Sequence, residues 1–103
     1  MTDPMKIRAT LVDGKIEVKI LMAHVMETGL RKDDAGNPIP SHFIDRVSAT
    51  CNGRTVLSAQ WGPAVSKNPF LSFRFRGAKS GDKIIVTWID NHDESQTNEA
   101  LVP

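Results

Sequence analysis

The sequence contains one cysteine, Cys51, among 103 residues. A single thiol can form no disulfide within the chain, and zinc sites built from several thiolates are excluded as well. No apolar run approaches the length of a transmembrane helix. The 13 Lys and Arg residues nearly balance 12 Asp and Glu residues, so no overall electrostatic field favours binding to nucleic acid or to a membrane.

Helical periodicity and catalytic motifs are missing too. No segment longer than one or two turns repeats apolar residues at the i, i+3, i+4 spacing of an amphipathic helix. There is no nucleophile elbow, phosphate loop or dinucleotide fingerprint. The carboxylates of Asp33, Asp34, Asp90, Asp93 and Glu94 lack the spacing of a calcium loop. We therefore expect no enzyme activity, catalytic residue, cofactor or metal ion.

What the sequence does contain is a series of short alternating segments separated by turns. Asp13-Gly14 and Asn52-Gly53 are typical of two-residue hairpin turns. Six or seven strands over about 100 residues predict an all-β fold, an immunoglobulin-like two-sheet β-sandwich, formed by one domain over residues 1–103. The predicted strands are Lys6–Leu11, Ile16–Met22, Arg46–Cys51, Thr55–Trp61, Leu71–Phe75, Lys83–Ile89 and a weak last strand, Thr97–Leu101.

The sixth predicted strand is apolar on both sides. Ile84, Val86 and Trp88 face one way, while Ile85 and Ile89 face the other. The second pair predicts an apolar patch that meets a partner, or that forms a homodimer when the chain is isolated.

The segment 23–44 is too long for an ordinary connection between strands, and long loops on a rigid β scaffold are often binding sites. Its apolar side chains predict a packed loop, and its polar ones predict a recognition surface. The expected anchors are Met26, Leu30, Ile39 and Phe43, and the side chains expected to face outward are His24, Glu27, Arg31 and Lys32.

Three features allow a chemical interpretation beside a structural one. Cys51 could take up sulfur as a thiolate, but its inward position in a strand favours a small buried hydrophobe. His24 and Met26 alternate by two, so with His42 they could bind copper, although packing or partner contact is favoured and His92 lies in a separate turn. Phe73-Arg74-Phe75-Arg76 could stack on RNA, but alternation favours phenylalanines in the core with arginines in solvent.

Three blocks of sequence also carry a family resemblance. They resemble, in order, the signature of SoxZ, the smaller subunit of the SoxYZ sulfur carrier of thiosulfate oxidation. The blocks are His24-x-Met26-Glu27-Thr28-Gly29-x-Arg31-Lys32 with Gly36-x-Pro38-Ile39-Pro40 and Phe43-Ile44; Trp61-Gly62-Pro63-Ala64-Val65-Ser66-Lys67-Asn68-Pro69-Phe70; and Val86-Thr87-Trp88-Ile89-Asp90.

The resemblance implies a non-catalytic subunit that forms a heterodimer with SoxY. In that family the cysteine in a flexible SoxY tail holds the substrate while other Sox enzymes oxidise and hydrolyse it. The partner-binding residues expected here are His24, Met26, Glu27, Arg31, Lys32, Ile85 and Ile89.

The N-terminal residues and the family resemblance predict different cellular compartments for this protein. The first six residues show no basic segment followed by an apolar one, which taken alone predicts the cytoplasm. The resemblance implies the periplasm, reached by export together with SoxY. Two other functions stay open: a stand-alone β-sandwich recognition module that binds a small anion or metal through the 23–44 loop, and a copper-handling protein.

Overall fold

The computed structural model describes residues 3–103 and contains seven strands in two antiparallel sheets. The sheets have the strand orders β1-β2-β5 and β4-β3-β6-β7, which confirms the predicted all-β fold. Each predicted strand is present, with ends displaced by two residues at most. The strands are β1 (Lys6–Val12), β2 (Lys15–Leu21), β3 (Ile44–Cys51), β4 (Arg54–Gln60), β5 (Phe70–Phe75), β6 (Lys83–Asp90) and β7 (Ser95–Leu101). Among residues 3–103 no helix occurs that is long and apolar enough to cross a membrane.

Both predicted hairpin turns are confirmed. Asp13 and Gly14 have φ angles of 50° and 75° between β1 and β2, and Asn52 and Gly53 have 50° and 81° between β3 and β4. Positive φ at both central residues is the requirement of the hairpin turn whose twist matches the flanking strands.

The core lies between the two sheets and is filled by alternate residues of β2, β3 and β6. Trp88 is its largest fully buried side chain. On β5, Phe73 is half-buried against the core while Arg74 is exposed, which confirms the structural interpretation of that segment. The other buried apolar side chains include Ile16, Val18, Ile20, Met22, Ile44, Val47, Ala49, Ile84 and Val86.

Three segments meet at one end of the sandwich. Ile44, the first residue of β3, pairs with Asp90, the last residue of β6. The chain leaving β2 is tied to the same end, since the His24 amide donates to Asn68 Oδ1 and the Asn68 amide donates to the His24 carbonyl. This end of the sandwich holds the histidines.

Candidate functional site

A histidine–aspartate cluster occupies the end of the sandwich at which β2 ends, β3 begins and β6 ends. Asp90 Oδ2 lies 3.0 Å from His24 Nε2 and 2.8 Å from His42 Nε2. The rings of His24 and His42 are 4.7 Å apart and nearly perpendicular, and the His24 ring also contacts Trp88 edge-on at 5.1 Å. The His24 and Asp90 side chains are almost completely buried, whereas that of His42 is one-quarter exposed.

The Asp90 carboxylate has a hydrogen-bond partner on each side. Its Oδ2 atom faces the two imidazoles, and its Oδ1 atom accepts from the backbone amides of His92 and Glu94 at 2.9 Å each. Burial by itself raises the pKa of Asp90, but the hydrogen bonds from the two histidines and the two amides outweigh it and hold the pKa below its usual value. The ionised carboxylate is therefore the stable form in the folded protein.

The hydrogen bonds of His24 fix the position of its proton. The Met26 amide donates to His24 Nδ1 at 3.1 Å, so Nδ1 carries no proton in this arrangement. In the neutral ring the proton is then on Nε2, which donates it to Asp90. His24 is thus held by a donor on one side and an acceptor on the other, as a structural histidine would be.

A metal ion could use His24, His42 and Asp90, whose ligand atoms lie within 4.8 Å of one another. Binding at His24 Nε2 would move its proton to Nδ1, where the Met26 amide already points. The second apparent ligand for copper, the Met26 sulfur, accepts a hydrogen bond from the Ile44 amide at 3.4 Å. The local hydrogen bonds therefore favour the network over metal ligation.

His92 lies in a separate turn, as expected, but that turn brings its ring to the cluster. Its ring stacks on that of His42 with centroids 4.0 Å apart, and its Nε2 is 2.8 Å from the Ser41 carbonyl. The turn after β6 folds back over the start of β3, because Asp90 accepts from the amides of that turn and Asn91 donates to Ser41.

A structural role for Asp90 was not predicted, since it was considered only as one of several carboxylates without calcium-loop spacing. Its position was nevertheless signalled by the alternation of β6, in which Ile84, Val86, Trp88 and Asp90 all face inward. A carboxylate in such a series requires a buried partner. His24 likewise continues the inward series of Ile20 and Met22, so the expectation that it faces outward was wrong.

The base of the 23–44 loop is anchored by a short antiparallel bridge. Glu27 and His42 exchange backbone hydrogen bonds of 2.7 and 3.0 Å. Gly29, at φ 88°, faces Ser41 so closely that a Cβ on it would lie 3.2 Å from the Ser41 Cβ. Met26 is 5% exposed. Met26 is therefore the anchor that was expected, but it is buried and offers little surface to a partner.

The outer part of the loop projects from the sandwich. Residues 30–38 are all exposed, and Leu30, expected to be an anchor, is 88% exposed. Leu30 lies beyond the Glu27–His42 bridge, where the loop has left the sandwich surface. The Arg31 guanidinium binds the Glu27 carboxylate through two nitrogens and lowers the pKa of that carboxyl. Lys32 is exposed and pairs through its backbone with Pro38.

A shallow cavity of about 250 Å³ lies beside the cluster. Its polar lining carries both signs of charge, with Lys67 opposed by Asp3 and Glu94. The indole Nε1 of Trp88, which also lines it, has no hydrogen-bond partner among the described residues. This mixture gives no clear preference for an anion or a cation.

Cys51 lies far from the cluster. It pairs with Ile84 near the start of β6, whereas Asp90 ends that strand, so about 20 Å separate them at the rise of a strand. The thiol is 4% exposed, and burial, with a smaller effect of Asp82, raises its pKa. The cluster therefore cannot activate Cys51, and its position fits the small buried hydrophobe that was expected.

We expect Cys51 in the folded protein to react with a thiol reagent at least tenfold more slowly than in urea, because only a thiolate reacts and this one is buried. Stopped labelling followed by mass spectrometry measures both rates. Cys51→Ala should keep the function of the complex. Rapid labelling of the native chain with loss of function would contradict the structural role.

The outer face of the four-stranded sheet carries the two isoleucines expected to meet a partner. Ile85 and Ile89 are half-buried, and between them lies Thr87. On the paired strand β7, Leu101 is 62% exposed and lies opposite Lys83, diagonally across from Ile85. Sequence analysis did not select Leu101, because the last strand was weakly patterned. We call Ile85, Ile89 and Leu101 the outer apolar patch.

The comparison with protein families places most of this chain in one of them. Residues 5–101 match the model described as sulphur oxidation protein SoxZ. Curated protein sequences give no significant match.

Solved structures with a similar fold are distant in sequence. A hypothetical protein from Pyrococcus horikoshii OT3 is 15% identical, with a TM-score of 0.66 and coverage of 98% of this chain and 88% of that one. A superoxide reductase (neelaredoxin) variant from Ignicoccus hospitalis is 14% identical, with a TM-score of 0.65 and coverage of 98% and 79%. One from Archaeoglobus fulgidus, in the reduced form, is 19% identical, with a TM-score of 0.62 and coverage of 98% and 88%. At such identities the likeness concerns the fold alone.

Proposed function

Since this chain belongs to the SoxZ family of sulphur oxidation proteins, we propose that it is the non-catalytic small subunit of a SoxYZ carrier. The observation that carries the proposal is the family match over residues 5–101. In this proposal a SoxY-like subunit holds the sulfur compound on its own tail cysteine. The chain described here stabilises that subunit and contributes to the surface on which other Sox enzymes act.

The chemistry of this chain supports a role without catalysis. The one thiol is buried about 20 Å from the histidines, and His24 is held between the Met26 amide and Asp90. Cys51 therefore has no histidine base beside it, as nucleophilic catalysis by a thiol would require. In this proposal the covalent step belongs to the SoxY-like subunit.

We assign the SoxY-like subunit to the outer apolar patch. The face around Ile85, Ile89 and Leu101 carries small side chains on the neighbouring strands, such as Ser48, Ser58, Thr87 and Thr97. Its charged side chains are Arg46, Lys83 and Glu99, and the last two form an ion pair at 3.6 Å. Apolar side chains with few charges around them can be covered at low desolvation cost. In the absence of SoxY we expect the same patch to support homodimers at high concentration. We also propose that the complex works in the periplasm, reached by export with the SoxY-like subunit.

Co-expression with a SoxY-like protein encoded in the same genome tests the function. We expect a heterodimer that survives size-exclusion chromatography, and we expect thiosulfate to load onto the partner but not onto Cys51, as measured by intact-mass spectrometry. If the two chains elute separately and loading occurs without this chain, the proposal is wrong.

The projecting loop is proposed to contact SoxY or a Sox enzyme through Glu27, Arg31 and Lys32. His24 and Met26, whose side chains are buried, would act on that contact only by holding the loop base. We expect Arg31→Ala with Lys32→Ala to weaken assembly or turnover by at least fivefold, because arginine is common at interface hot spots. The melting temperature should change by less than about 2 °C, since exposed ion pairs contribute little to stability.

Calorimetric melting and thiosulfate oxidation by the reconstituted system measure the two effects. Lys79→Ala, an exposed lysine in the β5–β6 connection, is the matched control. Normal assembly and turnover in the double variant would show that the loop only covers the histidine–aspartate cluster.

A further inference from the structure

The outer face of the three-stranded sheet concentrates positive charge. Five of the 13 Lys and Arg residues lie there with one of the 12 Asp and Glu residues, so carboxylates outnumber basic side chains over the rest of the chain. We call this surface the basic face. Its charged side chains are Lys6, Arg8, Lys15, Lys19, Arg74 and, as the one anion, Glu17.

The single carboxylate neutralises only one part of the basic face. Glu17 Oε2 lies 2.8 Å from an Arg74 nitrogen, and Glu17 Oε1 lies 3.5 Å from Lys19 Nζ. Among the described residues, Lys6 and Arg8 have no ion-pair partner. Arg8 is moreover directly opposite Lys19 in the β1–β2 register. Like charges in that position destabilise a sheet, so this pair costs folding free energy.

Next to these cations the basic face exposes two apolar side chains. Leu21 and Phe70 are register partners on β2 and β5 and are 42% and 62% exposed. Together with Lys6, Arg8 and Lys19 they line a groove of about 310 Å³. An apolar pair beside Lys6 and Arg8, which have no ion-pair partner, is complementary to an acidic surface that presents one apolar side chain.

We propose that the basic face docks an acidic segment of a second protein, whose carboxylates meet Lys6, Arg8 and Lys19 and whose apolar side chain packs between Leu21 and Phe70. This surface is on the opposite sheet from the outer apolar patch, so the inference does not depend on the proposed pairing with SoxY. A protein is favoured over single-stranded nucleic acid because the face offers one aromatic ring, whereas successive bases require several stacking platforms.

The test uses the full chain and a synthetic peptide in which one phenylalanine is flanked by four glutamates on each side. We expect amide shift changes in 15N NMR spectra to be confined to the basic face, with binding that weakens as salt is added. Arg8→Glu should lower the affinity at least fivefold. Lys79→Glu, the same charge change away from this face, should lower it less than twofold. Phe70→Ser should lower it at least threefold, because the apolar contact is lost.

Several results would overturn the inference. One is an absence of shifts on the basic face, and another is an equal effect of Arg8→Glu and Lys79→Glu. Tighter binding of oligothymidylate, or of vesicles containing phosphatidylglycerol, to the same face would assign it to nucleic acid or to a membrane instead. Because the readout is peptide binding by this chain alone, its failure leaves the co-expression result unaffected.

Discussion

Asp90→Asn is expected to destabilise the protein by about 3 kcal/mol, because it leaves buried hydrogen-bond donors without an acceptor. For a domain of this size that corresponds to a melting temperature lower by roughly 10–25 °C. The amide oxygen could still accept from the His92 and Glu94 amides. Its NH₂ group would then face His24 Nε2, which must keep its proton because the Met26 amide donates to Nδ1. Two donors would be buried against each other.

Asp93→Asn is the matched control. Asp93 is exposed in the same turn and has a φ angle of 61°, a conformation that asparagine tolerates well. The Asp93→Asn variant should melt within about 2 °C of the unmodified protein. If the Asp90→Asn variant had the same melting temperature as the unmodified protein, the histidine–aspartate cluster would contribute nothing to the stability of the fold.

The same carboxylate gives an expected pH dependence. The pKa of Asp90 is lowered in the folded protein, so its contribution to stability is complete above the pKa of the unfolded chain, about 3.9, and is lost as the pH falls through the folded value. Asp90→Asn lacks this contribution at every pH. The difference in melting temperature between the two proteins should therefore stay constant from pH 6 to about pH 4 and shrink as the pH is lowered further, as measured by circular dichroism.

Ile85→Lys combined with Ile89→Glu is expected to weaken pairing with the SoxY-like subunit roughly 1,000-fold. Ile85 is opposite Glu99 and Ile89 is opposite Arg46, so each new charge gains an opposite charge within its own sheet. Such cross-strand pairs are neutral or favourable for the fold. At an interface, however, each substitution replaces an apolar contact with a charge that must lose its hydration when the partner binds.

Two hot-spot residues at about 2 kcal/mol each would weaken binding roughly 1,000-fold. Isothermal titration calorimetry against the separate partner measures this, and the melting temperature of the variant checks its fold. Leu11→Lys, which charges a 65% exposed leucine of the other sheet, should bind normally. Unchanged affinity of the double variant would show that the outer apolar patch is not the interface with the SoxY-like subunit. The projecting loop and the basic face would then be the remaining candidates for that interface.

Strand positions were predictable from the sequence because period-two alternation and the Asp-Gly and Asn-Gly turns are local signals. The family resemblance rested on the same kind of local evidence and is confirmed over residues 5–101. The histidine–aspartate cluster was not predictable in this way. It joins His24, His42 and Asp90, which are up to 66 residues apart, and it depends on how the ends of three segments meet.

The wrong predictions for side chains of the 23–44 loop have the same cause, since burial there depends on contacts between distant parts of the chain. All four apolar side chains of the 23–44 loop were predicted to be anchors, because apolar character alone does not indicate distance from the core. Only the Glu27–His42 bridge determines where the loop leaves the sandwich. Met26 lies inside that boundary and is buried, whereas Leu30 lies outside it and is exposed.

The gathering of His24, His42 and His92 in one cluster has a practical consequence, since the chain has only three histidines. Every imidazole signal in a magnetic resonance spectrum comes from the base of the projecting loop. A partner that touches the loop would shift signals from that one place, while docking on either sheet face would leave them nearly unchanged. The protein thus contains a built-in reporter that distinguishes the loop from its two sheet faces without an added label.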